Sequence, residues 1–227
     1  MQTAQDNPAK AAPQRSAATR LYRGIVDGIS EGQFLPGQRL VEADLCLHFG
    51  VSRNVVREVL QRLSSEGVVE LTPNKGATVR AFPPGQLLKT LELTELLMGL
   101  AARSAAEEIH QPGAEAAVRQ ALSRLETEQK NKDDASFNRA RDAFFSTLLR
   151  VSRNEELQRL TPAYRMHVLR AQYGLTPLYR AAFADFGRIS EAVLSGNASQ
   201  AERLARRHIR RFRDTLARRL QGDAHSK

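Results

Sequence analysis

Three helical patterns open the ordered part of the chain. Apolar residues fall at helical spacing from Leu21 until Gly32 interrupts them. A second, shorter pattern ends at Gly50, and a third covers about 53–66. Ser52 stands just before the third pattern at the position of an N-cap, because its hydroxyl can accept a hydrogen bond from the free amides of the next turn. The spacing therefore predicts three successive helices.

A hairpin is predicted after the third helix. Two short apolar runs, 68–71 and 77–79, flank the polar turn 72–76, which is typical of two antiparallel strands. The segment Phe82–Gly85 contains two prolines and a glycine and interrupts the pattern, as a linker does. Residues 1–18 show no apolar period, so we expect a flexible tail there.

Everything after the linker is helical in period. Short breaks at Gly, Pro and Asn residues separate six helical patterns, and six helices joined by short loops predict an all-α bundle. The helices are placed near 86–109, 113–131, 133–151, 155–173, 177–195 and 198–221. The predicted fold class is therefore mainly α: a winged helix-turn-helix of three helices and a β-hairpin, followed by a six-helix bundle. The predicted domains are a tail (1–18), a winged helix-turn-helix domain (19–82), a linker (83–85), a helical domain (86–221) and a second tail (222–227).

Composition narrows the class of protein. Apolar residues make up 41% and charged residues 26% of the 227 residues, near the average for globular proteins. No stretch approaches the roughly 20 consecutive apolar residues of a membrane span, and the N-terminus lacks the apolar core of a signal peptide. The single Cys46 excludes an internal disulfide. These features predict a cytoplasmic protein with no membrane partner.

The charge of the chain points to an anionic partner. A net charge of +9 is typical of a protein that binds nucleic acid. Much of the excess lies in 197–221, where eight arginines are accompanied only by the acids Glu202 and Asp214. These arginines have two interpretations. They could lie on a side of the helix that faces solvent or the partner of a dimer, or they could form a surface that binds DNA without sequence preference. Net charge alone therefore does not locate the DNA-binding face.

The helix-turn-helix pattern indicates how DNA would be read. In such modules the third helix enters the major groove with its first residues at base edges, and a wing reaches the minor groove. Arginine donates two hydrogen bonds to guanine, and serine or asparagine can bond phosphate or adenine. The predicted DNA contacts are Ser52, Arg53, Asn54 and Arg57 on the third helix and Lys75 and Gly76 at the hairpin tip.

Two simpler interpretations remain open for these residues. Arg53 and Arg57 could solvate an exposed helix and pair with Glu58 or Asp44. The pair at 75–76 could form an ordinary tight turn.

A series of short motifs, each occurring once, runs through residues 21–82. They are Pro36-Gly37, Arg39-Leu40, Glu42, Gly50-Val51-Ser52-Arg53, Val56-Arg57, Leu63, Glu66-Gly67 and Lys75-Gly76. In this combination the segment resembles the DNA-binding domain of GntR-type bacterial transcription regulators. The resemblance implies a homodimer that binds a palindromic operator in double-stranded DNA, with the contacts named above.

Two stretches of the helical region carry a second resemblance. FFSTLLRVSRNEEL and ISEAVLSGNASQAERLARRH are similar to stretches of the ligand-sensing FCD domain of the FadR subfamily, in its six-helix form. Many FCD domains bind a divalent metal through one Asp and three His. The resemblance places Arg141, Phe145, Phe186 and His208 at those four positions. Since three ligands are replaced, we expect no metal and no other cofactor.

The arginine at the carboxylate position suggests an effector. A guanidinium can grip a carboxylate by two parallel hydrogen bonds, so Arg141 can supply the charge that the metal supplies elsewhere. Tyr164 and His208 would add polar contacts, and Phe145 and Phe186 would form apolar walls. We therefore expect a small anionic metabolite. The alternative is a pocket that has become ordinary core, with Arg141 exposed or paired to an acid.

The sequence lacks the motifs of the common enzyme classes. The chain has no Gly-rich phosphate loop, no G-x-S-x-G and no His-rich cluster, and Cys46 lies in a helix of the DNA-binding domain, so we expect no enzyme. The sequence predicts a sequence-specific transcription regulator, expected to be a repressor, whose helical domain senses a carboxylate without a metal. The alternatives are a regulator with a vestigial effector pocket and an architectural DNA-binding protein.

Overall fold

The computed structural model describes residues 8–72, 76–131, 133–160 and 172–225, with the side chains of 16–221 among them. The chain divides into two compact units, one up to Ala81 and one from Phe82 onward, except that the described residues Gln172 and Tyr173 group with the first. Each unit has its own buried core.

The N-terminal unit is built on three helices and a small sheet. Its elements are α1 (Pro8–Ser30), β1 (Arg39–Leu40), α2 (Glu42–Phe49), α3 (Arg53–Ser65), β2 (Val69–Thr72) and β3 (Gly76–Val79). The core lies where α1 packs on α3, and Leu21, Ile25 and Ile29 of α1 meet there with Val56 and Leu63 of α3, all fully buried. The apolar spacing of both helices decides which face is buried.

The sheet has one strand more than the sequence predicts. The predicted hairpin is present, with Val69 opposite Val79 and Thr72 opposite Gly76. A third strand, β1, pairs antiparallel with β3 through Arg39 and Thr78, which gives the order β1-β3-β2. A strand of two residues is too short to show an alternating pattern, so sequence periodicity does not reveal it.

The first helix extends beyond the predicted start. The backbone is helical from Pro8, so part of the segment expected to be a flexible tail continues α1. Alanine is frequent there, and alanine is the best helix former, which favours this extension.

The C-terminal unit is entirely helical in its described residues. Its elements are α4 (Pro84–Glu107), α5 (Ala114–Lys130), α6 (Asp134–Val151), α7 (Glu155–Leu160), α8 (Thr176–Ala181), α9 (Ala184–Leu194) and α10 (Ala198–His225). The two longest, α4 and α10, pack along each other, and α6 lies against α4 and α5. Phe137, Phe144 and Phe186 are fully buried in the core of this unit.

Two of the six predicted bundle helices differ from the structure. The helix predicted at 155–173 begins at Glu155, and its part beyond Leu160 lies mostly outside the described residues. The helix predicted at 177–195 is divided into α8 and α9, because Asp185 and Phe186 donate backbone hydrogen bonds to carbonyls three residues back. No Gly or Pro marks this break, so composition gives no signal for it.

A long-range contact explains the direction of α8. The guanidinium of Arg180 donates to the carboxylate of Asp134 at 2.8 Å and to the carbonyl oxygen of Asp133 at 3.1 Å, and it lies 4.4 Å from the ring centre of Phe137. These contacts tie α8 to the start of α6.

The predicted fold class, a winged helix-turn-helix followed by a helical bundle, is confirmed. None of the helices in the described part of the chain is long and apolar enough to cross a membrane.

Candidate DNA interface and effector site

A left-handed glycine makes the turn between α2 and α3. Gly50 has a φ of 62°, and its amide donates to the carbonyl oxygen of Cys46, which ends α2. Few other residues adopt this backbone conformation without strain. The turn allows α3 to start two residues later, after Val51 and Ser52.

The first turn of α3 is capped and turned outward. The hydroxyl of Ser52 accepts a hydrogen bond from the amide of Val55 at 3.5 Å, as the sequence predicts for an N-cap. The apolar side of the helix, which includes Val55 and Val56, is buried. Because that side is buried, the side chains of Ser52, Arg53 and Asn54 are exposed.

Arg57 lies on the same exposed side but has a partner. Its Nε donates to both carboxylate oxygens of Glu42 in α2, at 3.1 and 3.2 Å. Glu58 and Asp44, the partners considered from the sequence, are not the acid involved. The side chain of Arg57 remains 65% exposed, so the pair orients Arg57 at the surface without burying it.

Strand β1 places a further arginine, Arg39, beside the hairpin turn of the wing. Gly76 starts β3 with a φ of 84°, and a Cβ built there would lie 3.8 Å from Nε of Arg39. Lys75 lies outside the described residues. Sequence reasoning did not select Arg39 as a contact, because β1, the strand that brings it to the wing, was not predicted.

In the C-terminal unit, Arg141 of α6 is buried. It is 4% exposed, and its Nη1 donates to the carboxylate of Asp142 at 3.0 Å. Its guanidinium carbon lies 3.7 Å from the ring centre of Tyr179 and 5.2 Å from that of Phe145. Its Nε has no hydrogen-bond partner among the described residues. Arg141, which the sequence analysis selected, is thus a buried cation whose Nε donor is unused among the described residues.

His208 of α10 is buried against a carboxylate. The residue is 1% exposed, and its Nδ1 lies 3.2 Å from Oδ2 of Asp185 in α9. Burial lowers the pKa of His208, and the positive charge of Arg141 lowers it further, whereas the bond to Asp185 opposes the shift. The imidazole is therefore neutral, with its proton on Nδ1 toward the carboxylate. Nε2 has no hydrogen-bond partner among the described residues.

Asp185 is the residue of this cluster that the sequence analysis missed. It is 4% exposed and pairs with Arg188 and Arg211 as well as with His208. The hydrogen bond from His208 lowers the pKa of Asp185, so the carboxyl is ionised. An acid inside the apolar stretch next to Phe186 was the available signal, but its partners His208 and Arg211 lie on another helix.

The two aromatic residues selected from the sequence lie beside these polar groups. Phe145 and Phe186 have ring centres 5.7 Å apart, and both pack on the imidazole of His208, at 5.9 and 4.9 Å. The structure therefore brings Arg141, Phe145, Phe186 and His208 together. Tyr164, the fifth predicted residue, lies outside the described residues.

A second contact joins α6 to α8, as the one between Arg141 and Tyr179 does. The amide nitrogen of Asn138 in α6 donates to the hydroxyl of Thr176 in α8 at 2.9 Å, and its amide oxygen has no partner among the described residues. In the described part of the chain, no group of three or more His, Cys, Asp or Glu side chains is arranged to hold a metal ion.

Each of the two units matches the model of a known protein family. A family model described as “Bacterial regulatory proteins, gntR family” matches residues 17–79, and the FCD domain model matches residues 89–211. The “Galactonate operon transcriptional repressor” of Escherichia coli is 29% identical over 152 residues, which is 60% of this chain and 66% of that protein. The “Probable D-xylose utilization operon transcriptional repressor” of Paenarthrobacter nicotinovorans is 25% identical over 164 residues, or 72% of each chain.

Solved structures share the fold. The chain titled “E. coli McbR/YncC” superposes with a TM-score of 0.77 at 19% identity, over 90% of this chain and 98% of that one. Some relatives are matched over less than two thirds of their length, and for a regulator of Agrobacterium vitis the share is 47%. Because the FCD model alone matches more than half of the chain, the protein belongs to the GntR family of bacterial regulatory proteins, among the members that carry an FCD domain.

Proposed function

We propose that the protein is a cytoplasmic, sequence-specific transcription regulator that acts as a repressor and binds a two-fold symmetric operator as a homodimer. The observation that carries the DNA-binding part is the exposed first turn of α3, which Ser52 caps and whose apolar side is buried. Arg53, Asn54 and Arg57 then face outward together. Such a turn fits the major groove.

Each residue of this surface has a distinct role in the proposal. Arg53 is the direct reader of a guanine, and Asn54 bonds adenine or phosphate. Arg57 is held by Glu42 in the unbound protein and approaches the DNA when that exposed pair, worth at most about 1 kcal/mol, opens. Lys75, Gly76 and Arg39 form the wing contact.

Footprinting followed by binding measurements tests the DNA-binding part. We expect protection of an inverted repeat and, for Arg53→Ala, a loss of about 1–3 kcal/mol in operator affinity together with relaxed base preference. Arg119→Ala is the matched control, because it removes the same charge from an exposed arginine of α5. Unchanged affinity and base preference in Arg53→Ala would show that α3 does not read the operator.

The proposed effector is a small carboxylate bound at Arg141. Three guanidinium groups, of Arg141, Arg188 and Arg211, meet two carboxylates, of Asp142 and Asp185, while His208 is neutral. The cluster therefore has one positive charge in excess. Arg188 and Arg211 are 56% and 59% exposed, so the buried cation that requires a partner is Arg141. Arg141 Nε and His208 Nε2 supply one unused donor and one unused acceptor.

The names of the relatives support an organic metabolite without selecting one. The E. coli relative is named for a galactonate operon, and galactonate is a carboxylate, whereas the other is named for D-xylose, a neutral sugar. The carboxylate is proposed because Arg141 is a buried cation whose Nε has no hydrogen-bond partner among the described residues. In the alternative of a vestigial pocket, the bond between Arg141 and Asp142 would be the whole role of the arginine.

A thermal-shift screen of organic acids distinguishes these alternatives. We expect an acid that raises the unfolding midpoint of the wild type, has a much smaller effect on Arg141→Ala, and weakens operator binding. Arg139→Ala is the control, since Arg139 lies on the same helix and is 44% exposed. An acid that stabilises Arg141→Ala as much as the wild type would exclude Arg141 as its anchor. A screen in which no acid acts would favour the vestigial pocket.

The architectural alternative depends on free arginines in α10, and the structure reduces their number. Arg206, Arg210 and Arg213 surround Glu95 of α4, and Arg211 pairs with Asp185. Half of the eight arginines are thus used inside the C-terminal unit. This use supports a structural role for the basic helix.

A further inference from the structure

The two helices of the candidate DNA surface carry more acidic than basic side chains. Between residues 42 and 58 the chain has three acids, Glu42, Asp44 and Glu58, and two arginines, Arg53 and Arg57. The chain as a whole, in contrast, has a net charge of +9. Because DNA phosphates are negatively charged and repel carboxylates, the acids of α2 and α3 oppose binding.

Glu42 is the acid that acts directly on an arginine of this surface. The Nε atom of Arg57 donates to both carboxylate oxygens of Glu42, at 3.1 and 3.2 Å. In the described part of the chain, the side chain of Arg57 forms no other hydrogen bond. The pair therefore covers the Nε edge of the guanidinium and neutralises its charge before any DNA arrives.

Helix packing keeps the two partners next to each other. Helix α2 packs on α3, and Leu45 of α2 and Leu60 of α3 are both buried. Only residues 50–52 connect the two helices. Glu42 therefore cannot leave Arg57 together with its helix, and the pair opens by rotation of the side chains. Arg57 is 65% and Glu42 33% exposed, so both side chains have room to rotate into solvent.

We propose that Glu42 autoinhibits DNA binding: it holds Arg57 in the unbound protein and keeps operator affinity below the level that α3 could reach. A contact of Arg57 with a base or a phosphate replaces its bonds to Glu42, so part of the gain is lost. The carboxylate left behind then lies beside the phosphates and is repelled. Both effects weaken binding. The inference rests on the proposed function, in which Arg57 is a DNA contact.

The exposure of the pair limits the size of the effect. An exposed ion pair changes an equilibrium by at most about fivefold, and relief of the repulsion by the phosphates adds to this. Glu42→Gln removes the charge and keeps the size of the side chain. We therefore expect this variant to bind the operator about three- to tenfold more tightly than the wild type.

Binding titrations of the full chain on the footprinted operator, at one fixed salt concentration, test the proposal. Asp44→Asn is the matched control, because Asp44 is also in the first turn of α2 and exposed, but forms no ion pair with the described residues. Since a negative charge in the first turn stabilises a helix, both variants lose the same favourable interaction. An exposed charge without a partner is screened by salt, so Asp44→Asn should change the affinity by less than about twofold.

A double-mutant cycle separates the pair from the general charge of the surface. In the Arg57→Ala background Glu42 has no guanidinium to hold, so Glu42→Gln should there have the same small effect as Asp44→Asn. A contribution of Glu42 to the stability of α2 alone would not depend on Arg57. Circular dichroism and the unfolding midpoint show that each variant is folded.

Three results would overturn the proposal: operator binding by Glu42→Gln that is equal to or weaker than that of the wild type, an equal gain in Asp44→Asn, or an undiminished gain in the Arg57→Ala background. Weaker binding with a relaxed preference at a cytosine would identify Glu42 as a direct base contact instead. The Arg53→Ala measurement tests the proposed function by itself. If Arg53→Ala loses affinity while Glu42→Gln changes nothing, only the autoinhibition is wrong.

Discussion

The Nδ1 atom of His208 lies 3.2 Å from Oδ2 of Asp185, and both side chains are at least 95% buried. The pair joins α10 to α9 at the centre of the proposed effector site. Because burial lowers the pKa of His208, the imidazole stays neutral, and its Nε2 has no hydrogen-bond partner among the described residues. Arg188 and Arg211 also hold the carboxylate.

The stability of the protein should decrease on mild acidification. Burial holds the pKa of His208 below its usual 6.5, so below that pH the unfolded chain binds a proton that the folded chain does not. The pKa of Asp185 is likewise lowered from its usual 3.8, because His208 donates to it, so further stability is lost as the pH falls through that region. Unfolding midpoints measured from neutral pH downward test both steps.

A histidine variant isolates the first step. In His208→Asn the loss of stability that begins near pH 6.5 should become smaller, whatever the absolute stability of the variant. His110→Asn, at an exposed histidine, is the control and should keep the wild-type slope. An equal slope in His208→Asn would assign the acid sensitivity to other groups.

Removal of Glu95 should destabilise the C-terminal unit. Its hydrogen bond with Arg210 lowers the pKa of Glu95, so the carboxylate is charged at neutral pH and attracts the arginines of α10. Because those arginines are partly exposed and can return to water, we expect Glu95→Ala to lower the free energy of unfolding by about 1–3 kcal/mol. Chemical denaturation measures this change.

Glu115→Ala is the comparison for Glu95. Glu115 pairs with Arg119 at the surface of α5, where an ion pair contributes at most about 1 kcal/mol. If both variants lose the same small amount, the cluster around Glu95 does not stabilise the packing of α4 on α10.

Two substitutions at Ser52 should separate its structural role from DNA binding. Ser52→Ala removes the cap and should lower the free energy of unfolding by about 0.5–2 kcal/mol. Ser52→Asp keeps a capping oxygen but adds a negative charge where a phosphate is expected, so it should fold normally and bind operator poorly. Equal operator affinity for Ser52→Asp and wild type would place Ser52 away from the DNA.

The protein should contain no stoichiometric divalent metal after purification without chelators. A metal bound at His208 would need the carboxylate of Asp185 as a second ligand. That carboxylate already pairs with Arg188 and Arg211, and the positive charge of their guanidinium groups repels a cation. Dialysis against a chelator should leave the unfolding midpoint unchanged. Elemental analysis that found a near-equimolar metal, absent in His208→Ala, would contradict this.

Local features account for the parts of the candidate DNA surface that the sequence predicts. The N-cap at Ser52 and the turn at Gly50 depend on neighbours within a few residues, and the period of the apolar residues in 53–66 decides that Arg53, Asn54 and Arg57 face outward. The pair between Arg57 and Glu42 joins residues 15 positions apart, and no local rule indicates it.

The effector site was predicted less completely. Resemblance to a known family selected Arg141, Phe145, Phe186 and His208, which the structure brings together. Asp185 escaped notice because its partners His208 and Arg211 are 23 and 26 positions away.

Local patterns in the chain predict the order of the helices, the winged helix-turn-helix and the outward side of α3, because helical period, capping and turn chemistry act over one or two turns. Long-range packing bends 177–195 into two helices, brings three arginines to Glu95 and leaves the leucines of α4 exposed. A local pattern specifies which side of a helix is apolar. Which distant side chain meets that side depends on how the helices pack, and packing is a property of the whole unit.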